Sequence, residues 1–284
     1  MKDLFHDFGT LRYWRHFIRA FLSAIGAIAV VLGVWDVVFP GDVARHPRPI
    51  MVFSLLLSLV YAVTWTWPRP IGQTYSTPNT GIRVIRGDLF AQDGHIVVGT
   101  CDTFDTRIPD IIARNSVQGQ MLERVFDGDA ARLDQQVTDA LVAATPEGTV
   151  AKEGKTARYP IGTVAVLSEN RRKIFMVAYT RMSEQNTAHG SPDDTWRSLL
   201  RLWESVSVNA NGGSVSMPVI GGGQSRLSQL LPAQDSIRFI AMSFMFASRY
   251  AKVCDELVIV VPEKQYHSLD RLQIQSFLRS LSPS

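Results

Sequence analysis

Hydrophobic positions fall into two patterns along this chain. Near the N-terminus the apolar residues run continuously: residues 20–35 read AFLSAIGAIAVVLGVW and residues 50–67 read IMVFSLLLSLVYAVTWTW, both without a charge. Extended to about 17–39, the first run is long enough for a helix to cross a hydrocarbon core of roughly 30 Å. The second follows after the short PGDVARHPRP. A soluble helix would carry a polar face, and a signal-peptide core is shorter and precedes a small-residue cleavage site. The pattern therefore predicts a transmembrane hairpin within residues 1–67, its helices at about 17–39 and 50–67. Lys2, Arg12, Arg15 and Arg19 precede the first span and Arg69, Arg83 and Arg86 follow the second, against Arg45 and Arg48 between them. That bias predicts both termini in the cytoplasm. Trp35, Tyr61, Trp65 and Trp67 suit the membrane interfaces. Asp36, at a span end, either reaches headgroup water or lines a pore.

Residues 68–80, rich in Pro, Thr and Gly, read as a linker. From residue 81 to 284 the pattern changes to short β-type runs alternating with helical ones. Strands are expected at 82–86, 95–99, 162–168, 173–180, 214–220 and 256–261. Only ENRR separates the third from the fourth, which predicts an antiparallel hairpin. Leu133, Val137, Leu141 and Val142 share a helical face. Asp193 and Asp194 are cap candidates for a helix burying Leu199, Leu202, Trp203 and Val206. Residues 236–253 are apolar nearly all round and read as a helix covered on two sides; a third span is the alternative, which Arg238, Arg249 and Lys252 disfavour. Together these elements predict a three-layer α/β/α domain with a mixed, about six-stranded sheet. In such sheets ligands sit beyond the carboxyl ends of the strands.

Composition adds mostly exclusions. The net charge of +3 gives nucleic-acid binding no support. Cys101 and Cys254 are far apart and lack metal-ligand or CxxC spacing, so neither a disulfide scaffold nor a zinc site is expected. His95, His189 and His267 also lack ligand spacing, and neither metal nor cofactor is expected.

Two stretches carry candidate chemistry. GGGQSR, comprising Gly221, Gly222, Gly223, Gln224, Ser225 and Arg226, follows the fifth expected strand but lacks the signatures of a P-loop or a dinucleotide fingerprint. Without Cβ atoms its amides can turn inward around an anion such as a diphosphate, with Arg226 as a possible partner; a surface turn is the alternative. The other stretch is residues 87–106, GDLFAQDGHIVVGTCDTFDT. Asp88 follows the first strand of the domain, and Gly99, Thr100, Cys101, Asp102, Phe104, Asp105 and Thr106 end the second. Asp102 and Asp105 could be a general acid/base pair or could cap the next helix. Cys101 has acids for neighbours and no base nearby, poor surroundings for a thiolate nucleophile.

GDLF after a first strand, a polar loop after the second and MPVIGGG before a long helix resemble a macro domain, a module that binds ADP-ribose and its derivatives. With two membrane helices ahead of it, and with CDTFDT, NSVQGQ and MPVIGGGQSR, the chain resembles the membrane-anchored macro-domain effectors of bacterial Thoeris antiphage systems. The resemblance implies that Asp88 reads the adenine amino group, that Tyr266 stacks on the base, that residues 221–226 wrap the diphosphate, and that residues 99–106 approach the distal ribose. Gln120, Asn186 and Gln224 become further polar contacts. Hydrolytic macro domains carry an asparagine and a glycine run where this chain has GTCDTFDT, which favours binding over de-ADP-ribosylation. Two carboxylates beside a diphosphate would suit a ligand whose far end offers hydroxyls or a positive group, such as histidine-ADP-ribose made from NAD by a TIR-domain partner. The expectation is a homo-oligomer in the bacterial inner membrane, its macro-like domain in the cytoplasm, that responds to the signal by disrupting the lipid bilayer. A tethered hydrolase using Asp102 and Asp105, and a recruiting anchor without ligand, are the alternatives.

Overall fold

The computed structural model describes residues 9, 11–67, 70–220 and 231–282. It divides into a unit ending at Pro70 and a unit beginning at Ile71.

The first unit is a helical hairpin: α1 (Leu11–Val38), a single turn α2 (Asp42–Arg45), and α3 (Pro47–Thr66). At about 1.5 Å per residue, α1 is about 42 Å long and α3 about 30 Å. Both are long and apolar enough to cross a membrane, and their exposed residues include Val30, Val31, Phe53 and Leu56. Each begins several residues before the span read from hydropathy alone, because arginine and proline are accommodated in the flanking turns. Asp36 accepts a hydrogen bond from the Gly41 amide (3.3 Å), and Gly41 turns the chain at φ 87°. Pro47 opens α3, where its missing N–H costs nothing. At the other end of the hairpin, the Thr66 hydroxyl lies 3.2 Å from that of Tyr13.

The second unit is a three-layer α/β/α domain. Its strands are β1 (Ile71–Tyr75), β2 (Thr80–Arg86), β3 (His95–Cys101), β4 (Gly148–Thr149), β5 (Ala157–Arg158), β6 (Val164–Glu169), β7 (Arg172–Met182), β8 (Ala188–His189), β9 (Val215–Pro218) and β10 (Glu256–Val261). The main sheet runs β1-β2-β10-β9-β3-β7-β6, with β8 also paired to β7, and β4 and β5 form a separate ribbon. The inner strands β2, β10, β9, β3 and β7 are mutually parallel; β1, β6 and β8 join antiparallel. The sheet thus has eight strands among the described residues rather than about six. Part of the stretch read as a linker is edge strand β1, whose Ile71 and Tyr75 are buried.

Successive residues of the central strands are apolar on both faces, as burial from two sides requires. Val97, Ile259 and Phe175 face α6 (Pro192–Asn209), α7 (Ala233–Tyr250) and, beyond the single turn α8 (Glu263–Tyr266), α9 (Arg271–Ser280), around the fully buried Trp203 and Phe244. Ile96, Val98, Val258 and Ile174 face α4 (Val117–Val125) and α5 (Ala130–Ala140). Residues 236–253 thus fall mainly in a domain helix, α7. Val142, grouped above with the buried face of α5, is exposed. Helix α6 is capped by Ser191, which accepts a hydrogen bond from the Asp194 amide, rather than by Asp193 or Asp194. His95 is a packing residue between the Lys173 amide and the Ala210 carbonyl.

Candidate functional site

Because the five inner strands are parallel, their carboxyl ends share one edge of the sheet, and a cavity of about 540 Å³ opens there. Gly99, Thr100 and Cys101 line it from the end of β3, Tyr179, Thr180 and Met182 from β7, and Met217 to Ile220 from β9. Pro262 and Gln265 border it after β10, and Asn186 to Ala188 after β7. Asn115, Ser116, Val117 and Gln118, at the N-terminus of α4, form a further wall, with Gln120 in the first turns.

Local chemistry fixes this wall. Ser116 caps α4 by accepting from the Gly119 amide (3.0 Å). A Cβ at Gly119 would stand 2.4 Å from the Ala113 carbonyl oxygen, so only glycine lets the preceding turn pack so closely. Gln118 is buried; its amide nitrogen donates to Asp105 O (2.5 Å) and its oxygen lies 3.2 Å from the Thr100 hydroxyl. Gly99 supports the Tyr179 ring so closely that a Cβ would lie 2.1 Å from ring carbon Cε1. Ile220 N donates to Ser236 Oγ (2.8 Å), holding the exit of β9 against α7.

Among the described residues lining the cavity, none carries a charged side chain. The two acids expected near the ligand turn away from it. Asp102 is fully buried: its carboxylate accepts from Arg158 Nη1 (2.7 Å) and from the Met182 amide (2.8 Å), while Arg158 Nη2 donates to Met182 O (2.5 Å). Burial raises its pKa above the ordinary carboxylate value, against the opposing pull of the Met182 amide and Arg158. Asp105 accepts from Lys152 Nζ (2.5 Å) and from the Lys155 amide (3.0 Å), in an ion pair whose side chains are both fully buried. Neither acid caps a helix. Phe104 is buried in the core against Tyr159, and Thr106 bonds to Asp134. The ribbon β4–β5 and the residues between its strands supply Lys152, Lys155 and Arg158, so this segment ties down the end of β3.

Of the other expected site residues, Gly99, Thr100, Cys101, Gln120 and Asn186 come together in the cavity. The Cys101 thiol lies 3.3 Å from the Thr103 hydroxyl. Asp88 is absent from the lining; it caps the turn Leu89–Ala91 by accepting from the Phe90 amide (3.0 Å) and pairs with Arg124 (2.5 Å). Tyr266 is buried in the core with the Arg271 guanidinium 5.7 Å from its ring centre, and does not line the cavity. Among the described residues, the aromatic ring that lines it is that of Tyr179 in β7. Gly221 to Arg226, with Gln224, lie outside the described residues. No cluster of metal-ligating side chains occurs among the described residues.

Among solved structures, an Oceanobacillus iheyensis macrodomain mutant aligns at a TM-score of 0.47 and 15% identity, over 75% of this chain and 95% of that one. The same macrodomain with ADP aligns at 0.48 and 14%, over 75% and 97%. A tomato leucine aminopeptidase mutant aligns at 0.42 and 10%, over 75% of this chain and 37% of that one. No curated protein matches in sequence. The family model described as "Thoeris protein ThsA, Macro domain" matches residues 82–262, from β2 through β10, and so takes in every parallel strand and nearly all of the cavity wall. With well over half of its length so matched, the chain belongs to the ThsA macro-domain family of Thoeris proteins.

Proposed function

We propose that this chain is a membrane-anchored defence effector that holds an ADP-ribose-derived nucleotide in the cavity at the carboxyl edge of its sheet. The observation that carries this reading is the family match laid over a nucleotide-sized cavity bordered by the N-terminus of α4, whose dipole favours a diphosphate without a cationic side chain. The base lies toward Gln265 and the distal ribose toward Gly99 to Cys101. We assign residues 221–226 to the diphosphate. The signal is an ADP-ribose conjugate, histidine-ADP-ribose being the favoured form, made by a TIR-domain partner. Ligand binding shifts the population toward an associated state, as it can if that state binds the ligand more tightly. The two-helix anchors then cluster in the bacterial inner membrane, with the domain on the cytoplasmic side, and disrupt the bilayer.

Binding without turnover is the favoured chemistry, a reading supported by the engagement of Asp102 with Arg158 and of Asp105 with Lys152. Incubating the purified full chain with histidine-ADP-ribose, followed by chromatography of the released nucleotide, tests this. The expected result is intact ligand bound in stoichiometric amount, with a higher melting temperature; at a hundred times Kd the stabilisation is about 2.7 kcal/mol. Release of free ADP-ribose over time would replace the sensor with a hydrolase.

A further inference from the structure

The chain leaving the membrane hairpin enters the second unit at the same sheet edge as the cavity. Strand β1 opens at Ile71, which pairs with Val84, and β2 ends two residues later at Arg86. Only residues 67–70 separate Ile71 from the last residue of α3, a stretch that spans at most about 18 Å. An edge strand such as β1 leaves a row of N–H and C=O groups without a sheet partner. At Gly72 one side chain takes both: the Gly72 amide donates to Gln275 Oε1 (2.9 Å), and Gln275 Nε2 donates to Gly72 O (2.9 Å). A primary amide carries the donor and the acceptor that a neighbouring strand would have offered. Three residues on, the Tyr75 hydroxyl donates to Leu278 O (2.7 Å). Ile71, Tyr75, Ile274 and Leu278 share one buried cluster, so β1 is fastened to α9 by hydrogen bonds as well as by packing.

The other end of α9 is tied to the cavity by two routes. Gln265, on the cavity border, stands five residues before Asp270, which caps α9 by accepting from the Gln273 amide (3.0 Å). Ile220, in the cavity wall, donates through its amide to Ser236 Oγ (2.8 Å) in the first turn of α7. Two residues earlier, Gln234 accepts from the Asp270 amide (3.0 Å) and donates to Gln273 Oε1 (3.1 Å). We propose that α9 is the lever that passes ligand occupancy to the membrane hairpin, and that Gln275 is its coupling residue. A ligand seated against Ile220 and Gln265 that binds more tightly to one position of α9 moves β1 with it, because Gly72 and Tyr75 are hydrogen-bonded to that helix; residues 67–70 pass the displacement on to α3. This rests on the reading above, in which a nucleotide in the cavity drives bilayer disruption.

The test pairs calorimetric titration of the full chain in detergent with dye release from phosphatidylethanolamine–phosphatidylglycerol vesicles that carry it, using histidine-ADP-ribose as the probe. Gln275→Leu, which removes both bonds to Gly72, should bind the probe within about threefold of wild type yet release dye at least about tenfold more slowly at saturation. Gln275→Glu, which keeps an acceptor for the Gly72 amide but sets a second acceptor against Gly72 O, should lose release in the same way. Normal release in a variant that binds normally would overturn the assignment. Release without the probe would do so too, since Gln275 would then restrain the hairpin rather than drive it, as would a fall in affinity large enough to account for the lost release. Hydrogen exchange of the wild-type chain needs no variant: saturating probe should change the rates in peptides covering 71–75 and 271–278 at least about threefold, and unchanged rates there would overturn the lever. A wild-type chain that binds no probe, or binds it and releases no dye, would overturn the reading above and this inference together.

Discussion

Gly99 to Cys101 and Asp102 to Thr106 are consecutive in the chain, yet they do opposite work. The first three residues carry no charge and line the cavity; the next five carry both acids and face the protein interior. The difference teaches that charge next to a site is not charge in it. An acid buried beside a neutral cavity needs a counterion, and here the residues around the β4–β5 ribbon provide one for each carboxylate. The acids thereby hold the cavity wall that their uncharged neighbours present.

This comparison can be broken most forcefully at the Lys152–Asp105 pair. Lys152→Met leaves the Asp105 carboxylate buried without its counterion and should cost about 3–5 kcal/mol in urea unfolding. The double variant Asp105→Leu with Lys152→Met should recover most of that loss, since a buried pair is worth little against apolar packing. A Lys152→Met chain that unfolds like wild type would show that the pair holds nothing.

Next in size is Gly99→Ala, on the other side of the divide. Its Cβ would force the Tyr179 ring, part of the cavity wall, to move, so ADP-ribose affinity should fall about tenfold, about 1.4 kcal/mol, with a smaller loss of stability. Unchanged affinity would mean that Tyr179 does not bound the ligand.

The smallest effects lie in pH dependence, where two acids of the same region should move oppositely. Burial raises the pKa of Asp102, so its folded form takes up a proton more readily than the unfolded chain; its contribution to stability falls as pH rises from 3.8 through the raised value. At half-exposed Asp134, burial is outweighed by hydrogen bonds from Lys155 and Thr106, which lower the pKa; its contribution is present above 3.8 and is lost as pH falls through the lowered value. Urea titrations should therefore show Asp102→Asn flattening the curve just above pH 3.8 and Asp134→Asn flattening it just below. Identical profiles for the two variants would contradict the assigned environments.

Much of the fold was legible because the central strands must be apolar on both faces. The run 256–261 was read with its observed ends, and the four residues ENRR between two apolar runs fixed the β6–β7 hairpin. Edge strand β1 was not read: it has only Ile71 and Tyr75 buried around Gly72, Gln73 and Thr74, too little alternation among prolines and threonines. Strand β8, two residues long, has no period at all. At the site, local sequence pointed to the end of β3 but could not show that Lys152 and Arg158, some fifty residues on, come back to Asp105 and Asp102. Without those partners the acids looked available for chemistry. Tyr266 was named as the nearest aromatic residue beyond the last strand; the short helix after β10 places it in the core, while the Tyr179 ring of β7 borders the cavity.

Hydrogen exchange of the full chain with and without ADP-ribose tests the central claim most directly. Binding in this cavity predicts slowed exchange in peptides covering 97–101, 115–120 and 217–220, with the β4–β5 ribbon at 148–158 nearly unchanged. Protection of the ribbon alone, or of none of these segments at saturating ADP-ribose, would contradict it.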